Sequence, residues 1–140
     1  MLNEIEKQVR NRFLDRIDDR SWDEEEPRLD FGTAALPYFI DAFGEESDPF
    51  RRWRLIRVIW QFRDPAALPT LSVAVRDSSA EVWKESLDGF VTIGGSAVLI
   101  LLREAQFDSM AYKDAAERID WITEAIQQIE QHLGELKGSG

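Results

Sequence analysis

Apolar positions in this chain recur every three or four residues, as in helices that bury one face. Leu2, Ile5, Val9, Phe13 and Ile17 fall at spacings of 3, 4, 4 and 4, with charges at most positions between them. They predict an amphipathic helix over about 2–20. Ser21-Trp22-Asp23-Glu24-Glu25-Glu26-Pro27 follows. Proline disfavours helix at the residue before it, so this acidic run is expected to be a solvated loop. A second helix is expected over about 33–44, with Thr33 as its cap, Pro37 in its first turn, Gly44 at its end and Leu36, Phe39 and Phe43 as its stripe.

From about 49 to 62 the pattern widens. Trp53, Ile56, Ile59 and Trp60 line one side and Leu55, Val58 and Phe62 the next. Only Arg51, Arg54, Arg57 and Gln61 leave a polar stripe. A helix apolar around most of its circumference belongs inside a stack. Asp64-Pro65 ends it, and further helices are expected over about 66–76, 80–92 and 96–105. The last segment, about 108–136, carries Ile119, Ile122, Ile126, Ile129, Leu133 and Leu136 at alternating spacings of 3 and 4, a heptad-like seam. It is expected to pack on the end of its own domain, with self-association as the alternative. No segment has a period of two, so the chain reads as all-α, with about seven helices. Gly138-Ser139-Gly140 reads as a frayed or appended tail.

The helices repeat. Ala34-Ala35-Leu36-Pro37 aligns with Ala66-Ala67-Leu68-Pro69 at an offset of 32, and Ala66-Ala67-Leu68 with Ser96-Ala97-Val98 at 30. Trp53 aligns with Trp83, and Trp60 with Phe90, again at 30. A unit of two short helices cannot bury its apolar face alone; stacked neighbours complete it, and the end units must be atypical. The 2–20 and 108–136 helices are expected to be those caps, flanking a repeat core at 32–105 within one domain spanning 1–137.

At Asp64-Pro65-Ala66-Ala67-Leu68-Pro69-Thr70-Leu71, Asp77-Ser78-Ser79-Ala80-Glu81-Val82 and Ile93-Gly94 the chain resembles the HEAT-like repeat family in its short bacterial form. That resemblance implies a short α-solenoid whose second helices line a concave surface. It also implies an arginine after the valine that matches Val82, but Trp83 stands there and Trp53 in the preceding unit. The family's Asp–Arg ladder is therefore expected to give way to stacked indoles. HEAT-like proteins include scaffolds, inhibitors, toxin-neutralising proteins and a chromophore-lyase branch.

Composition narrows the function. The 140 residues include 27 acidic and 17 basic side chains, a formal charge of -10, which disfavours nucleic acid as a partner. There is no cysteine, hence no disulfide or thiolate chemistry. The one histidine, His132, is expected to be an exposed helix residue. No catalytic set, metal site or cofactor is expected. The Asp23–Glu26 carboxylates are consecutive and diverge, unlike a calcium loop. The N-terminus carries no leader pattern and no run approaches a membrane span, so a soluble, cytoplasmic, monomeric protein is expected.

The acidity is concentrated: residues 15–30 hold eight acids against three arginines. The expected role is a non-enzymatic protein-interaction module, in sharper form an inhibitor or immunity-type protein, for a basic partner. Its candidate contact residues are Trp22, Asp23, Glu24, Glu25 and Glu26 at the acidic end, and Tyr38, Asp41, Thr70 and Arg103 on the second-helix strip, together with Val73 and Ile100. Trp22 reads equally as an exposed anchor or as a plug over the core. Trp53, Trp60 and Trp83 are expected to pack in the core. A chromophore-lyase-type or other small-ligand protein and a homo-oligomeric scaffold are the alternatives.

Overall fold

A computed structural model describes residues 3–138; Leu2 and Ser139-Gly140, part of the expected stripe and tail, lie outside the described residues. These residues form eight α-helices and no strand. They are α1 (Glu4–Arg12), α2 (Glu26–Phe31), α3 (Leu36–Glu45), α4 (Pro49–Gln61), α5 (Leu68–Ala74), α6 (Ala80–Ile93), α7 (Ser96–Asp108) and α8 (Ala115–Gly138). The architecture is a short α-solenoid: α4, α6 and α8 pack side by side in one layer, and α3, α5 and α7 run alongside in the other. No helix of the described residues is long and apolar enough to cross a membrane.

The repeat boundaries follow from local chemistry. Asp48 caps α4 by accepting from the Arg51 backbone N–H at 3.0 Å, with Pro49 in the first turn, where its missing N–H costs nothing. Asp64 accepts from Ala66 N in the corresponding turn of the next connection. Gly94 closes α6 in the left-handed region (φ 64°), which favours glycine. α4 and α6 share the most extensive helix contact, and Gly89 lets Trp60 of α4 approach the α6 backbone. A Cβ there would lie 2.7 Å from Trp60 Cβ and 3.0 Å from Leu71 Cδ1. Gly89→Ala should therefore lower the unfolding free energy by about 1–3 kcal/mol through overpacking, read from urea midpoints. An unchanged midpoint would show that the two helices can part freely.

Both caps differ from expectation. The first helix ends at Arg12, where Phe13 leaves helical geometry, and the chain passes into a 3-10 turn at Leu14–Arg16; beyond it the carbonyls of Ile17 and Asp19 accept from Arg54 instead of continuing a helical ladder. Residues 21–27 are not simply a solvated loop. Asp23 and Glu26 form a reciprocal cap: Glu25 N–H donates to Asp23 Oδ1 at 2.8 Å, and Asp23 N–H donates to Glu26 Oε1 at 3.1 Å. They start α2, and Pro27 lies in its first turn instead of breaking it. The first unit is thus a complete, if shortened, helix pair. At the other end α7 runs on to Asp108, and α8 begins only at Ala115, taking the place of the next first helix. Ile122, Ile126 and Ile129 of its seam are buried against the chain's own stack.

Stacked indoles do not form a ladder through positions 53 and 83, and the Asp–Arg pairs present stand elsewhere in the units. Arg52 holds Asp77 (Nε–Oδ1 2.9 Å), and Arg76 holds Asp108 (2.8 Å). Trp83 is buried and meets Trp121 of α8 edge-on at 6.2 Å. Trp53 and Trp60 are only half-buried.

Candidate functional site

Arg54 was expected on a polar stripe but is 2% exposed. Its guanidinium donates to the carbonyls of Ile17 (3.2 Å), Asp19 (2.7 Å) and Trp22 (3.0 Å), lies 3.4 Å from Glu24 Oε1 and stacks 4.3 Å from the Trp22 ring. One side chain therefore straps segment 17–24 onto α4. Trp22 is 5% exposed, its ring edge-on to Phe13 at 5.1 Å and its Nε1–H donated to the Arg16 carbonyl. It is the plug, not the exposed anchor: the aromatic cluster of Phe13, Phe31 and Phe39 beneath it supplies more contact than water would.

This strap forms one wall of an open groove of about 800 Å³. Arg20 to Glu24 make that wall; Phe50, Trp53 and Arg54 come from α4, Glu81, Lys84, Glu85 and Asp88 from α6, and Trp121 from α8. The groove thus lies on the layer of first helices, not on the second-helix strip that the resemblance implied. The strip itself is uneven. Val73 and Ile100 are exposed at 60% and 59%, and Asp41 and Arg103 are exposed as expected. Thr70 is 8% exposed, turned into the helix packing, and does not belong to a contact surface. Tyr38 is half-buried and accepts a hydrogen bond from Asn3. Asp23, Glu24, Glu25 and Glu26 stay together at the N-terminal end, but only Asp23 and Glu24 reach the groove. Phe50, Trp53, Glu81, Glu85, Asp88 and Trp121 line the groove but are not among the candidate contact residues read from the sequence; the i, i+4, i+7 spacing of the three α6 carboxylates is the one sequence signal that joins any of them.

The electrostatics are acidic and unevenly compensated. Glu85 accepts from Trp60 Nε1 at 2.8 Å and meets Arg57 at 3.8 Å. Burial nevertheless raises its carboxyl above the ordinary range, with Asp88 adding to the effect. Burial raises Asp88 as well. Asp23, Glu81 and Asp88 are in no ion pair within 4.0 Å among the described residues. Outside the groove the signs reverse. Arg16 and the Ser21 backbone N–H lower Asp19 to about 2, and hydrogen bonds from Arg51 and Arg118 lower Asp18 and Asp114.

These two groups act oppositely on stability. A lowered native carboxyl leaves the unfolded chain holding more protons, so stability falls as pH drops from the ordinary 3.8 towards about 2. A raised one makes the native state the better proton acceptor, so stability declines as pH rises past the ordinary 4.5 of Glu85. Urea midpoints between pH 2 and 7 should fall at the acid end, and less so in Asp19→Asn. Glu85→Gln should flatten the decline above 4.5; parallel profiles for all three proteins would contradict this.

His132 is exposed on α8, and no group of three or more His, Cys, Asp or Glu comes together for a metal among the described residues. No family model matches the chain. No solved structure matches it. The chain is similar to a deoxyhypusine hydroxylase from rat (Rattus norvegicus), 28% identical over 111 residues, which cover 78% of this chain and 36% of that protein. It therefore spans about a third of that relative's length. The similarity is in keeping with the HEAT-like reading of the repeat units.

Proposed function

We propose that this protein is a non-enzymatic binding module that seats a basic protein partner in the groove between the 20–24 strap and α4, α6 and α8. The observation that carries this reading is the groove itself: its aromatic walls face five carboxylates, of which Asp23, Glu81 and Asp88 are in no ion pair within 4.0 Å among the described residues, while Glu24 and Glu85 meet Arg54 and Arg57. Aromatic anchors beside unmatched charge are what a specific, electrostatically steered interface needs. The acidic N-terminal end widens the negative field around the mouth and speeds encounter with a cationic surface. An inhibitor or immunity-type protein that covers a basic enzyme, such as a nuclease, is the sharper form of the same reading. The activity named for the rat protein is not extended to this chain, which matches only a third of it.

The test is capture of partners by the wild-type protein and by Glu81→Lys/Asp88→Lys, at low and high salt, followed by affinity measurement with each identified partner. Wild type should retain a basic protein at low salt and lose it at high salt, and the variant should not retain it. Retention indifferent to salt, or equal for the two proteins, contradicts the reading.

A second reading rests on the groove's volume, which falls within the range of small-ligand pockets. An aromatic small molecule bound there should raise the melting temperature and quench tryptophan emission. A thermal-shift screen of tetrapyrroles and cationic metabolites separates this reading from the first.

A further inference from the structure

Glu81, Glu85 and Asp88 form a row along one face of α6. At 1.5 Å per residue the steps are about 6 Å and about 4.5 Å. α6 packs between α4 and α8, so Trp53 flanks the row on one side and Trp121 on the other. These walls already hold cations from within the chain. The Arg57 guanidinium sits 5.1 Å from the Trp53 ring, and the Lys84 ammonium 4.8 Å from Trp121. Lys84, the one base of α6 in the groove, is drawn off to Glu117 of α8 at 2.9 Å; within the row only Glu85 meets a cation of the chain, Arg57 at 3.8 Å, and Glu81 and Asp88 are in no ion pair within 4.0 Å among the described residues.

Resting on the proposed basic partner, we infer that what enters the groove is a short extended segment of that partner with arginine or lysine at alternate positions, lying along α6. Alternate side chains of an extended strand share one face about 6.6 Å apart, close to the step of about 6 Å from Glu81 to Glu85 and longer than the step of about 4.5 Å to Asp88, a difference that long arginine or lysine stems can take up. Each cation meets one carboxylate, and its stem or guanidinium plane lies against an indole. A helical segment with contiguous or alternate basic residues would spread them around its circumference and bring fewer to the row. Burial of Glu85 adds to the effect, because an arriving cation stabilises the charged form that burial disfavours.

Labelled nine-residue peptides in a Gly/Ser background test this by fluorescence anisotropy. One carries three arginines at alternate positions, one has them contiguous, one has lysines at the alternate positions and one has citrulline there. The alternating arginine peptide should bind several-fold tighter than the contiguous one, and the citrulline peptide should not bind. Lysine should bind more weakly than arginine, because it lacks the planar fork. Glu85→Gln and the exposed Asp88→Asn should each weaken binding by about tenfold, the effect of losing one charge-assisted contact. Glu104→Gln on α7 should leave it unchanged. Indole N–H resonances of Trp53 and Trp121 should shift. Equal binding of the contiguous or citrulline peptide, or unaltered affinity in both groove variants, overturns the register and leaves the groove reading standing. Failure to capture any basic protein is a separate result, and removes the proposed function itself.

Discussion

Arg54→Ala should lower the unfolding free energy by about 3–5 kcal/mol, the range for removing one member of a buried, hydrogen-bonded charge set. The guanidinium serves three backbone carbonyls, one carboxylate and one indole face at once. Without it the carbonyls of Ile17, Asp19 and Trp22 lose their donor, and the strap can recover hydration only by lifting from α4. Lifting exposes Trp22 and uncovers Phe13, which gives up apolar burial as well. Arg54→Lys should restore little, since a single ammonium cannot span three carbonyls and lie flat on the indole. The loss should be visible in urea melts and as faster hydrogen exchange confined to residues 16–26 near native conditions. A change under about 1 kcal/mol in the alanine variant would mean that the strap holds without its clamp. The same variant should lose partner binding, because the strap is a wall of the groove.

Trp83→Ala should cost about 3–5 kcal/mol by a different route, cavity formation between α6 and α8. Trp83 is fully buried and lies edge-on to Trp121, with the Arg118 guanidinium 5.1 Å from its ring. Arg118 is itself buried and donates to the Val75 carbonyl, so the hole would open beside a charge that cannot easily move. Trp83→Phe should cost clearly less. Because α8 docks partly through this ring, the alanine variant should release α8 first. Limited proteolysis should then cut within 115–136 before the 49–93 core. Simultaneous cleavage throughout would show that α8 is not a separate cooperative element.

Much of the architecture was readable because stacked helices write their packing into periodicity. The Leu36–Leu68 and Trp53–Trp83 correspondences marked the units, and the seam at Ile122, Ile126 and Ile129 marked a helix with one buried face. Arg54 was misread because periodicity sorts residues by polarity. Nothing near it in sequence says that three carbonyls thirty-odd residues away will satisfy its guanidinium. The Pro27 break failed for a local reason that was visible: Asp23 and Glu26 are spaced as a reciprocal cap, and proline suits the turn that follows one. Thr70 was lost to rotation, since a one-position error on a short helix turns a side chain from rim to core. The groove was the least readable feature, because residues 20–24, 50–54, 81–88 and 121 meet only after the stack has formed.

Hydrogen–deuterium exchange on the protein, free and bound to the basic partner identified by salt-sensitive capture, addresses the binding mode most directly. Protection should fall on residues 20–24, 50–54 and 81–88 and around Trp121. Protection instead on the outward face of α5 and α7, around Val73, Ile100 and Arg103, or none in the groove segments, would contradict it.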